Sequence, residues 1–210
     1  MRIASTVAVL VASVATACGD ASPRPRPPAT FAPPQATAPA AAMPPQPPAP
    51  ANLSSASSDP AWMQCGTIEF PKPASWAWMK PTAAFRTLQY QVPGGAELIV
   101  SVFPAGDGGD VDPNVERWRN QFRDAAGEPA KVVRTERTVA GVPVVRVDFA
   151  GSFKGMGMAD AKPGMAQLGA IVRASSQSVF IRLLGPEAAV TAARADFERL
   201  VDGLRPQVAN

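Results

Sequence analysis

The side chains able to do chemistry in this chain are few, and the first constraint is a gap: the sequence contains no histidine. That removes Ser-His-Asp and Cys-His nucleophilic machinery, the commonest general base, and histidine-containing zinc or copper sites. Carboxylates, lysines, hydroxyls and a single tyrosine are left. GDGGDVD places Asp107, Asp110 and Asp112 within six residues. Calcium favours such oxygens, but EF-hand spacing is absent and no Glu closes the loop at its twelfth position. Asp112 followed by Pro113 reads instead as a helix start, an N-cap acceptor with proline at the first helical position. A glycosidase-type pair of acids would have to be assembled by the fold, because nothing in the sequence points to one.

The second chemical stretch is GSFKGMGMADAKPGM, Gly151 to Met165, between two strand-like runs. It carries Met156, Met158 and Met165 with Lys154 and Lys162. Long glycine-rich loops in compact domains are often binding elements. Three thioethers suit Cu(I) by softness, but no histidine supplements them. A Met-bearing contact surface for a partner protein, or a loop whose methionines tuck onto the core, are the readings that remain. GMGMAD does not fit a dinucleotide fingerprint, since no helix opens after it, and no P-loop lysine pattern occurs. No cofactor is expected. Trp62, Trp76 and Trp78 cluster before a strand; such rings stack sugars or prolines in some proteins and more often fill core and rim.

These residues need elements to position them. CGTIEFP reads as a strand ended by prolines. SWAWM follows, then AFRTLQYQVP and AELIVSVFP as strands joined by a hairpin at Gly94–Gly95. From Asp112, Val115, Trp118 and Phe122 fall on one helical face, with Arg117, Arg119, Asn120 and Arg123 toward water and Gly127 as the stop. Two β-branched runs flank Ala140–Gly141 as a second hairpin, with Pro143 near the start of its strand and Val145, Val147 and Phe149 sharing a face. AQLGAIVRA and SVFIRLLG form a third, around Ser175–Gln177. Pro186 opens a last helix whose stripe is Val190, Ala193, Phe197, Leu200 and Leu204, ended by Gly203 and Pro206. Hairpins without β-α-β alternation predict an α+β domain: an antiparallel sheet of about six or seven strands with two helices packed on it. That order, from a Trp- and Pro-rich start to a closing helix, resembles the PsbP-like fold over about Trp62 to Pro206. The resemblance implies binding or assembly work rather than catalysis.

The chain's front end has another character. Arg2, an apolar run from Ile3 to Val14 and small residues Ala15 to Ala17 read as an export signal, too short for a permanent span. ATAC followed by Gly19 and Asp20 resembles a bacterial lipobox, although Ala15 stands where Leu is usual; the resemblance implies that residues 1–17 are removed and Cys18 receives lipid. ATA also fits ordinary cleavage, which would give a soluble secreted form. Gly19, rather than Asp, after the cysteine resembles lipoproteins sorted to an outer membrane and facing the periplasm. Residues 18–60 are rich in Pro, Ala, Ser, Thr and Gln, with thirteen prolines from Ala21 to Pro60. Such a segment buries too little surface to offset its ordering entropy and is expected to be a disordered, polyproline-biased tether. Residues 61–206 hold all four Trp and eight of nine Phe, one domain's worth of core, and 207–210 are a tail. The formal charge is +3, with no Lys/Arg run that would mark a nucleic-acid partner. Cys65 reads as a small buried hydrophobe in a strand, with intermolecular pairing, or a Cys18–Cys65 bridge if Cys18 stays unlipidated, as alternatives.

The expectation is a lipid-anchored envelope protein, held to the bilayer through Cys18, whose noncatalytic domain binds an envelope protein or assembly. A carboxylate-based periplasmic hydrolase, and a soft-metal or small-ligand binder acting through residues 151–165, are the alternatives.

Overall fold

Eleven strands and three helices are arranged in two antiparallel sheets in the computed structural model, which describes residues 61–207. Cys18, the export signal and the tether lie outside the described residues. The α+β architecture with an antiparallel sheet is the one the hairpin pattern predicts, with more strands than expected and three helices rather than two.

CGTIEFP is not one strand. β1 (Trp62–Cys65) and β2 (Ile68–Pro71) are the arms of a hairpin, because Gly66 adopts a positive φ of 65° and turns the chain. β11 (Arg205–Pro206) completes this three-stranded sheet against β2, so Pro206 continues from the last helix into a strand. The large sheet has the order β3 (Ala77–Met79), β4 (Leu88–Val92), β5 (Ala96–Pro104), β10 (Gln177–Pro186), β9 (Lys162–Arg173), β8 (Val142–Phe153), β6 (Phe122–Arg123), with β7 (Val133–Val139) also paired to β8. All three hairpins expected in this sheet form: β4–β5, β7–β8 and β9–β10. Ala140 and Gly141 both have positive φ, the geometry of the two-residue turn that matches strand twist.

β9 and β10 lie inside the sheet and read as nearly continuous apolar runs, because both their faces are covered. On one face Met63, Ile68, Phe70 and Trp76 join Leu98, Val100 and Ile181 in a core closed by Val190, Phe197 and Leu200. Those last three come from α2 (Glu187–Ala192) and α3 (Arg194–Asp202). The single closing helix of the sequence reading is thus two helices meeting at Ala193, with its apolar stripe buried as expected. On the other face α1 (Val111–Arg119) sets Val115 and Trp118 against Val145, Val147, Ile171 and Phe180.

α1 departs from expectation at both ends. Its N-cap is Asp110, with no side-chain cap bond. Asp112 lies in the first turn and pairs with Arg134 at 2.7 Å. Pro113 therefore stands third in the helix, where its missing N–H is still harmless. The helix ends at Arg119 rather than running to Gly127, because Phe122 and Arg123 pair with Phe153 and Ser152 of β8. Phe122 still reaches the core, packing on Phe153 at 5.1 Å and Phe149 at 5.8 Å between ring centroids. The Gly151–Met165 loop is also shorter than expected: β8 extends to Phe153 and β9 starts at Lys162.

Candidate functional site

The face of the large sheet that carries α1 changes character across its width. Over β8, β9 and β10 it is apolar and covered by Trp118 and Phe122. Toward β4 and β5 it turns polar. Strand pairing sets Gln89, Ile99, Arg182, Gly169 and Val147 in one cross-strand row. The neighbouring row is Gln91, Glu97, Leu184, Gln167 and Phe149.

Arg182 is the centre of this polar patch. It stands at the middle of β10, between Phe180–Ile181 and Leu183–Leu184, and is half-buried. Its Nε donates to Gln167 Oε1 at 2.8 Å, and its Nη2 donates to Gln167 Oε1 at 2.5 Å and to Gln121 Oε1 at 2.6 Å. Its guanidinium carbon sits 5.3 Å from the centre of the Trp118 ring, a cation–π arrangement. Gly169 makes this possible: a Cβ there would lie 2.8 Å from Trp118 and 2.8 Å from Val147. Every partner of Arg182 is neutral, and among the described residues no carboxylate pairs with it. Burial pushes its pKa down to about 10, and the charges of Arg117 and Arg86 push the same way. Glu97, the acid on this patch, is held by Arg86 at 3.1 Å and by Gln89 Nε2.

Two buried amide atoms here lack partners. Gln167 is fully buried with its Nε2 unsatisfied, and Gln89 is buried with its Oε1 unsatisfied. A buried polar atom without a hydrogen bond costs about 1–3 kcal/mol, so such atoms point to a missing partner.

A chain of aromatic rings leads from this patch to solvent. Trp118 meets Phe180 edge-on at 6.4 Å, Phe180 meets Phe103 edge-on at 5.7 Å, and Phe103 stacks on Phe85 at 6.2 Å. Phe85 is 70 % exposed and has φ +65°, a left-handed conformation rarely adopted by bulky residues.

The residues singled out in the sequence separate. Met156 is 95 % exposed at the loop tip, and Lys154 and Lys162 are exposed. Met158 and Met165 turn inward against the α1-side core, and Gly155 N–H donates to Met158 Sδ at 3.2 Å. The fold therefore does not bring three thioethers to one point. Asp107, Asp110 and Asp112 also diverge: Asp112 goes to Arg134 and Asp110 lies 3.7 Å from Arg173. Among the described residues no group of three or more Cys, Asp and Glu is placed to hold a metal ion. Many carboxylates are engaged by arginines instead, including Glu198 with Arg146, Asp148 with Arg194 and Glu69 with Arg205. Trp76 is buried in the helix-side core and Trp78 packs partly buried against it. Trp62 lies under the Arg205 guanidinium, 3.6 Å from ring centre to its carbon. Cys65 is fully buried, where desolvation pushes its thiol pKa up, and such a thiol cannot meet another molecule without unfolding. The sequence reading did not single out Arg182. Its signal was one charge inside the otherwise apolar SVFIRLLG.

No known family's sequence pattern matches the chain, and no curated protein sequence matches it. Solved structures similar to it include cyanobacterial PsbP (CyanoP) from Synechocystis sp. PCC 6803, at 11 % identity and TM-score 0.49, covering 75 % of this chain and 99 % of that one. LpqN of Mycobacterium tuberculosis, described as involved in cell envelope biogenesis, has 11 % identity and TM-score 0.43, with 67 % and 83 % covered. The Ran-binding protein MOG1P of Saccharomyces cerevisiae has 13 % identity and TM-score 0.37, with 67 % and 90 % covered. Among the described residues no helix is long and apolar enough to cross a membrane.

Proposed function

We propose that this chain is an envelope lipoprotein, fastened to the bilayer through Cys18, whose domain is a noncatalytic module that binds an envelope protein or assembly. The contact surface is the α1-side face of the large sheet beyond the helix, from Phe85 across Phe103 to the Arg182 patch.

Phe85 carries this reading. A phenylalanine at φ +65° costs on the order of 1–3 kcal/mol. It gains little burial in return, being 70 % exposed. Strain retained on an exposed aromatic is what a preformed anchor for a partner requires, and aromatic anchors dominate the energetics of many interfaces. The exposed Met156, Lys154 and Lys162 form a second, separate surface to test.

The test is site-specific photo-crosslinking in intact envelopes, with a photoreactive phenylalanine at 85, at 156, and at the exposed Glu187 as control. A discrete adduct from position 85 and none from 187 is expected. An adduct from 156 alone would move the contact to the loop, and equal labelling at all three positions would remove the case for a defined surface.

A further inference from the structure

We propose that the Arg182 patch is a carboxylate-binding site, with the carboxylate seated on the Arg182 guanidinium and an adjoining apolar or aromatic group lying along Phe180 and Phe103.

The first argument is charge. A desolvated cation is normally matched by an anion. Arg182 is surrounded by amide oxygens, a tryptophan face and two further cations, Arg117 and Arg86. The acid on the patch, Glu97, is already shared between Arg86 and Gln89. The patch therefore holds more positive than negative charge at a place where solvent screening is reduced.

The second argument is independent of charge. Gln167 Oε1 accepts twice from Arg182, which fixes the orientation of its amide and leaves Nε2 as a buried donor without an acceptor. An oxoanion supplies that acceptor. A planar carboxylate suits the site because a guanidinium edge presents parallel N–H groups that match its two oxygens. Arg182 is also preorganised: the Gln167 and Gln121 amides and the Trp118 ring restrain the guanidinium, so little side-chain entropy is lost on binding. The rings of Phe180 and Phe103 continue from Trp118 along the same face, which favours a ligand with an apolar group next to its acid.

This assignment deepens the binding role proposed above and rests on it for its biological use, but its test needs no partner protein. The purified mature chain is titrated with 3-phenylpropionate, 3-phenylpropan-1-ol and phenyl phosphate. Chemical shifts of the Trp118 indole N–H, the Gln167 side-chain amide and the Arg182 Nε–H are followed. Saturable shifts with the carboxylate, and none with the alcohol, are expected. Arg182→Met should weaken carboxylate binding about tenfold or more. Gln167→Leu, which keeps the charge and removes the buried amide, should weaken it several-fold and serves if Arg182→Met fails to fold. Equal binding of the alcohol and the carboxylate, or unchanged affinity in both variants, would overturn the site. Tighter Arg182-dependent binding of phenyl phosphate would overturn the carboxylate assignment. Crosslinking from position 85 is a separate result, so a failed titration with successful crosslinking removes only the ligand class.

Discussion

The Arg182 guanidinium stands 5.3 Å from the centre of the Trp118 ring, with Gly169 beneath the indole on the neighbouring strand. One glycine therefore decides how closely α1 approaches the sheet and how Arg182 is held. A methyl group at 169 would sit 2.8 Å from both Trp118 and Val147, and neither can withdraw freely from a packed core. Gly169→Ala should destabilise the domain by about 1–3 kcal/mol through overpacking. It should also displace the Trp118 ring, seen as a change in its fluorescence and indole shift. Chemical denaturation gives the first quantity. An unchanged midpoint with an unchanged Trp118 signal would contradict the close packing described.

Gln177 joins segments more than a hundred residues apart. Its Nε2 donates to Cys65 O at 2.5 Å, and its Oε1 accepts from Thr67 N–H at 3.2 Å, so one amide closes the β1–β2 turn from the start of β10. Gln177→Leu should cost about 1–3 kcal/mol by orphaning these backbone groups. Hydrogen exchange at the Thr67 amide should quicken more than exchange in β9.

Cys65 gives a pH dependence with a defined sign. Burial raises its thiol pKa in the folded state, whereas an unfolded chain ionises it near about 8.5. The stabilising contribution is complete below that value and is lost as pH rises above it, because only the unfolded chain then releases the proton. Between pH 7 and pH 10 the wild type should lose about 2 kcal/mol more stability than Cys65→Val. Urea denaturation at the two pH values, compared between the two proteins, cancels the other titrating groups.

Cys18 tests the anchor. Cys18→Ser should move the protein from the membrane fraction to the soluble periplasmic or secreted fraction. Mass spectrometry of the wild-type N-terminus should show an acylated cysteine with residues 1–17 removed. A mature wild-type chain with an unmodified Cys18 would mean ordinary secretion.

Local signals carried much of the fold. The Gly94–Gly95 and Ala140–Gly141 turns place their hairpins because positive φ at those positions leaves few alternatives. The stripe from Val190 to Leu204 and the face of Val145, Val147 and Phe149 are buried as their periodicity requires. The elements that were misread are those fixed by distant partners. Phe122 and Arg123 look helical until β8 offers them an edge, and Lys162 to Met165 look like loop until β10 pairs Met165 with Pro186.

The sequence by itself determined that this domain is an antiparallel α+β sheet structure, because hydrophobic period and turn chemistry are local properties of the chain. It also excluded histidine-based chemistry, since a residue type that is absent cannot be supplied by folding. The tertiary structure decided where the polar patch lies. Arg182, Gln167, Gln89 and Gln121 come from different strands and from the segment after α1, and only strand register sets them side by side. The same holds for Phe85, whose strained backbone and stacking on Phe103 depend on contacts that no spacing in the chain records.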